Sequence, residues 1–204
     1  MFSILHISKE SFTTRLTING KNVERISVTQ LVGVWISEDL TWSRNCKEIC
    51  KRAYSRLSML TKLKYVGVSR EDLLDTYILL IRSVTEYCAV AFHSSLTQED
   101  SRKLEQIQKT CLKVILGEDY VDYDSALRTC DIQTLADRRE QRRLDFTLKC
   151  TKHEKNGRMF PVNPQYNNRV RESEPYQVNF ANTERYKKSA IPYCQRLLNK
   201  HSMK

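Results

Sequence analysis

Between residues 69 and 92 the apolar positions fill nearly every side of a helical wheel: Leu73, Leu74, Tyr77, Ile78, Leu79, Leu80, Ile81, Val84, Tyr87, Cys88 and Val90. The run is too long for a strand and has no turn signal, so it predicts a helix buried on several sides, the centre of a core. Ser69, with Asp72 three places on, predicts a cap of the capping-box kind. Arg82 and Glu86, four apart, are expected to pair on one face. These charges and Asp75 interrupt the run and argue against a bilayer span.

The segment before it has a cleaner two-sided pattern. Over residues 43–64, Cys46, Ile49, Ala53, Leu57 and Leu60 fall on one side of a wheel. Arg44, Lys47, Lys51 and Lys62 fall opposite, with Arg52 and Arg56 beside them. This predicts an amphipathic helix with a basic outer face. Gly67 ends it. Thr97 caps a further helix over 98–116, with acids in its first turn, a stripe of Leu104, Ile107, Cys111, Leu112 and Ile115, and Gly117 just past its end. A short helix is expected near 124–130. Thr134 opens a longer one over 135–154, on which Arg138, Arg142, Lys149 and Lys152 share a stripe interrupted by Asp145.

Upstream of these helices the period is two. Residues 3–7 read as a strand, 15–18 and 23–28 as a hairpin around Asn19-Gly20, and 30–36 as a third strand in which Gly33 marks a bulge or a close backbone approach. Residues 157–182 hold Pro161, Pro164 and Pro175 and show no period, which predicts extended or mobile chain; a short helix resumes near Pro192. The fold class is therefore mainly α, a helical bundle with a small N-terminal antiparallel β meander. It divides into a β unit at 1–40, a helical domain at 41–156, and a linker with a short C-terminal helix at 157–204.

Charge sharpens this picture. The 204 residues carry a net +10, unevenly placed. Residues 43–64 have seven Lys and Arg against one acid, whereas 70–137 have an acidic excess and 138–204 a basic one. Blocks of one sign suggest a basic face, and a basic face suggests nucleic acid before a membrane. The seven scattered cysteines form no CxxC pair, which predicts reduced thiols in an intracellular protein. The start, MFSILHISKESF, lacks the basic flank and cleavage site of a signal peptide.

No catalytic constellation emerges. The acid pairs Glu38-Asp39, Glu71-Asp72, Glu99-Asp100 and Glu118-Asp119 suit turns and helix starts, and 120–124, YVDYD, suits a polar loop before a short helix. His6, His93, His153 and His201 lie far apart, without metal-ligand spacing. GxGxxG, GxxxxGK[ST] and GxSxG are absent. The expectation is no enzyme, no metal and no cofactor. The candidate site is basic: Arg44, Lys47, Lys51, Arg52 and Lys62 on one helix and Arg138, Arg142, Lys149 and Lys152 on another, holding phosphates without reading sequence.

Several stretches together resemble a family. LVGVWISEDLTWSRNCKEICKRAYSRLSMLTKL, YILLIRSVTEYCAVAFHSSL, KLEQIQKTCLKVILG, TLADRREQRRLDFTLKC and TERYKKSAIPYCQRLLN are similar, in order, to the region after the catalytic palm in reverse transcriptases of non-LTR (LINE-type, jockey-like) retrotransposons. The resemblance implies that 1–40 derive from the palm sheet and that 41–156 are a helical thumb, the part that holds a template–primer duplex in this class of RNA-directed DNA polymerase. The fingers, the endonuclease and the palm with its Tyr/Phe-x-Asp-Asp metal site, which lie upstream in the family, are missing here. The implied function is nucleic-acid binding without polymerase chemistry, with a non-functional retroelement remnant as the alternative. Residues from about Phe12 to Arg56 also resemble the segment named after the N-terminus of AlkB homologue 8, of the tRNA methyltransferase and 2-oxoglutarate dioxygenase family. The His-x-Asp…His iron site and the glycine-rich cofactor loop of that activity are not in the sequence.

Overall fold

The structure, a computed structural model, describes residues 3–5, 17–166 and 174–202, the first three by backbone alone. It is mainly α with a small β unit at the N-terminal end. The strands are β1 (Ser3–Leu5), β2 (Thr17–Ile18), β3 (Lys21–Asn22), β4 (Glu24–Ile26), β5 (Val28–Leu31) and β6 (Val34–Ser37). They form three pairs, with β2–β3 and β5–β6 antiparallel and β1–β4 parallel. The β2–β3 turn is the one expected, with Asn19 and Gly20 at φ 50° and 74°, both positive as a type I′ turn requires. The end of the strand expected at 3–7 and the start of the one expected at 15–18 lie outside the described residues.

The expected strand at 30–36 is instead a hairpin. Val32 and Gly33 turn the chain at φ 48° and 79°. A β-branched residue with positive φ is strained, and Tyr87 holds it there. The Tyr87 hydroxyl donates to the Val32 carbonyl at 2.9 Å, and its ring lies 3.5 Å from where a Cβ on Gly33 would stand. Gly33 therefore serves a turn through its positive φ, in place of the expected bulge or close backbone approach, since a Cβ there would meet only ordinary contact. The expected strand at 23–28 is likewise divided between β4 and β5.

Helix α1 (Ser43–Tyr65) buries Cys46, Ile49, Ala53 and Leu60 of the stripe its period predicts, with Leu57 half-buried. Helix α5 (Gln98–Leu116) is capped by Thr97, whose hydroxyl accepts from the Asp100 amide at 3.0 Å, and stops at Gly117 with φ 60°. It buries the five stripe residues together with Asp100, Gln108 and Leu116.

The apolar run at 69–92 is not one helix. Ser69 caps α2 (Arg70–Thr76) as expected. A π-helical segment, Tyr77–Arg82, follows, then α3 (Ser83–Glu86). The chain breaks at Tyr87-Cys88, with Cys88 at φ 53°, before α4 (Ala89–Phe92) and a 3₁₀ turn, His93–Ser95. Only one face is buried, carrying Leu73, Tyr77 and Ile81, while Leu79 is 69% exposed. The core therefore forms around α5, against which α1, α2, α6 (Tyr123–Thr129) and α7 (Leu135–Thr151) all pack. Gln108 sits at its centre. It accepts from the Tyr77 hydroxyl at 2.5 Å and donates to the Tyr123 hydroxyl and the Gln133 carbonyl. A buried amide with each bond satisfied fixes the register of four segments at once.

Thr134 caps α7, which ends at Thr151 rather than at 154. The described residues beyond it, up to 166 and from 174 to 182, are irregular and extended, the first of the two expected states, and they are docked on the last helix. The helices α8 (Glu184–Lys187) and α9 (Ala190–Ser202) follow, with Pro192 in the first turn of α9. Phe160, Cys150, Cys194 and Leu198 form a second small core between this segment and α7. One antiparallel bridge, Val162 with Tyr176, pairs the segment's backbone, and the side-chain amides of α9 supply further bonds. Asn199 exchanges two hydrogen bonds of 2.9 Å with the Tyr176 backbone, and Gln195 bonds the Asn179 amide and the Met159 carbonyl.

Candidate nucleic-acid interface

The outer face of α1 is solvent-facing because the opposite face is committed to α5. Arg44, Lys47, Lys51, Arg52 and Lys62 are all exposed. Arg44 is braced, with its guanidinium 5.2 Å over the Trp35 ring and 3.1 Å from Glu48, the lone acid of the helix. Arg52 Nε donates to the Glu48 carbonyl at 3.4 Å. Lys47, Lys51 and Lys62 make no ion pair or side-chain hydrogen bond among the described residues, so their charges are uncompensated. Lys64 turns inward and caps the end of α5 by donating to the Ile115 carbonyl at 3.0 Å, a favourable place for a cation. Arg56, on the edge of the face, donates to the Leu80 carbonyl. With Arg52 it lines a cleft of about 350 Å³ that reaches Tyr87 and Gly33.

The second set is divided. Arg138 holds Glu86 with two hydrogen bonds, of 2.6 and 3.3 Å, and Arg142 approaches the same carboxylate at 3.3 Å. The Glu86 side chain is only 2% exposed. The expected Arg82–Glu86 pair is thus displaced by two arginines from α7. The Glu86 carboxylate, through its hydrogen bond, holds the Arg138 guanidinium above its ordinary pKa. Lys149 and Lys152 are exposed, Lys152 lying just past the end of α7. The two basic helices do not form one wall side by side. They are joined through α5, which packs on both, and through Glu86 of α3, which lies against α1.

Two arginines next in sequence, Arg139 and Arg143, are wholly buried. Arg139 Nε donates to His93 Nδ1 and its Nη2 to Ser101 Oγ, both at 3.3 Å. Arg143 Nη2 donates to the Val90 carbonyl at 2.5 Å, and its guanidinium stacks 5.0 Å from the Tyr193 ring. His93 Nε2 lies 3.4 Å from Glu140, which also accepts from the Tyr193 hydroxyl at 2.8 Å. This polar network seats α9 on α7. On a helical wheel Arg139 and Arg143 fall on the face of Leu135 and Cys150, offset from the stripe of Arg138 and Arg142, but their polar character hides that they are buried.

The remaining chemistry is structural. All seven cysteines are free, and burial pushes the Cys111 thiol up to about 12. Asp122 of the YVDYD stretch caps α6, accepting from the Ser125 amide at 2.8 Å. Among the described residues no group of three His, Cys, Asp or Glu could hold a metal ion, and no helix is long and apolar enough to cross a membrane. No known protein family, no curated protein and no solved structure matches this chain.

Proposed function

We propose that this chain is a nucleic-acid-binding module of the thumb type, akin to the region after the palm in non-LTR retrotransposon reverse transcriptases, and that it carries no polymerase chemistry of its own. The observation that supports this most is the outer face of α1. Lys47, Lys51 and Lys62 stand on it without carboxylate partners, beside Arg44 and Arg52, on a helix with a single acid. Such a face gains by meeting phosphates, which release counterions, and it has no side chain set to read bases. Lys149 and Lys152 extend the basic surface from α7, whereas Arg138 serves chiefly to neutralise Glu86.

The test is equilibrium binding of the full chain to a labelled RNA–DNA hybrid and to duplexes of unrelated sequence. Wild-type protein binds all of them with similar affinity, and K47E/K51E binds all of them more weakly by a common factor while keeping its helical circular dichroism. Equal binding by wild type and K47E/K51E removes the reading and leaves an inherited, unused basic surface.

A further inference from the structure

A second basic site lies away from the α1 face. A cleft of about 610 Å³ opens between the π-helical segment, α6, the 131–133 loop and α7. Its lining brings together Arg82, Arg128 and Arg138 from three elements, with Gln133, and with Asp131 as the only carboxylate on the lining. Arg138 is fixed in place by Glu86. Arg128 is steadied by Ser125, whose hydroxyl accepts from Nη2 at 3.0 Å.

Arg82 is the unusual member. It ends the π-helical segment and is half-buried, and among the described residues its guanidinium makes no hydrogen bond and no ion pair within 4.0 Å. The carboxylate one turn on, Glu86, is taken by Arg138 and Arg142. Burial, and then the neighbouring Arg138 charge, work against the Arg82 cation. Single π turns occur often at functional sites, and this one ends on the one guanidinium of the cleft that lacks a partner. Three arginines from different elements line the one cleft, and an anion in it would favour the Arg82 cation that the Arg138 charge opposes.

We propose that this cleft binds a phosphate group, carried on a small phosphorylated molecule or on the end of a nucleic-acid strand. A phosphate monoester offers three acceptor oxygens and close to two negative charges, which suits planar donors arriving from several directions. The volume is in the range that holds a mononucleotide. The site is independent of the α1 face, so the two can fail separately.

The probes are inorganic phosphate and adenosine monophosphate, followed by calorimetry and phosphorus NMR, and a short single strand with a 5′-phosphate or a 5′-hydroxyl. Arg82→Gln and Arg128→Gln test the site, since neither side chain bears a buried ion pair and thermal melting checks the fold. Each change weakens phosphate binding by about tenfold, the size of one charge-assisted hydrogen bond, while K47E/K51E leaves it unchanged. Preference for the 5′-phosphorylated strand that disappears in R82Q assigns a strand end. Equal affinity for the two strands, with phosphate binding still weakened in R82Q, assigns a small molecule. Phosphate affinity unchanged in folded R82Q and R128Q, or no binding by wild type at millimolar phosphate, overturns the proposal.

Discussion

Glu86 is a buried carboxylate that answers two arginines, and its removal leaves Arg138 and Arg142 facing each other and Arg82. Breaking a buried pair from one side costs about 3 kcal/mol, so Glu86→Ala should lower the denaturant midpoint strongly, and urea titration checks it. Glu140 behaves differently. The His93 imidazole 3.4 Å away and then the hydrogen bond from Tyr193 hold its carboxyl below the ordinary value. A depressed carboxyl contributes stability that is present above its unfolded pKa and lost as pH falls through the folded one. Stability should therefore decline below about pH 4.5, and Tyr193→Phe should show a smaller acid loss than wild type in urea titrations at pH 7 and pH 4. At this scale the sequence was partly readable. The outward Lys47, Lys51 and Lys62 follow from their angle to Cys46 and Ile49. Arg139 and Arg143 were not readable, because a guanidinium is buried only by partners such as His93, Val90 and Tyr193 that come from distant segments.

Elements with their own chemical punctuation were legible. Ser69, Thr97 and Thr134 each cap the helix they precede, Gly117 ends α5, and Asn19-Gly20 makes its turn. Thr97→Ala should cost about 1 kcal/mol, the usual worth of such a cap, and should lower the melting temperature by a few degrees for a chain of this size. Where tertiary contacts override local preference, legibility ends. The break at Tyr87-Cys88 has no Gly or Pro to announce it, so the run at 69–92 reads as one helix. The turn at Val32-Gly33 places valine in a conformation that favours glycine, and the Tyr87 hydroxyl that holds it lies 55 residues away. The π-helical segment likewise leaves no period of its own within six residues.

Over the whole molecule, one core around α5 and a smaller one under α9 divide the work. The described residues of 157–182 carry no sequence period because Asn199 and Gln195 of α9 hold them by side-chain amides, yet with α9 they bury Phe160, Cys194 and Leu198. At roughly 1.5–3 kcal/mol for each large apolar side chain, a chain ending at 156 should still melt cooperatively, but about 10 °C lower than the full protein; an unchanged midpoint in a calorimetric scan would show that the tail contributes nothing. The blocks of charge seen in the sequence become places: a basic outer face on α1 and a basic end on α7, both carried by α5. The central claim is that the α1 face binds duplex phosphates. Its most direct test is the salt dependence of affinity for an RNA–DNA hybrid, wild type against K47E/K51E. If Lys47, Lys51, Arg52 and Lys62 each neutralise one phosphate, the logarithm of affinity should fall with the logarithm of salt with a slope of about −3 to −4, and the double variant should flatten it by about two units. Identical slopes and affinities for the two proteins would contradict the account.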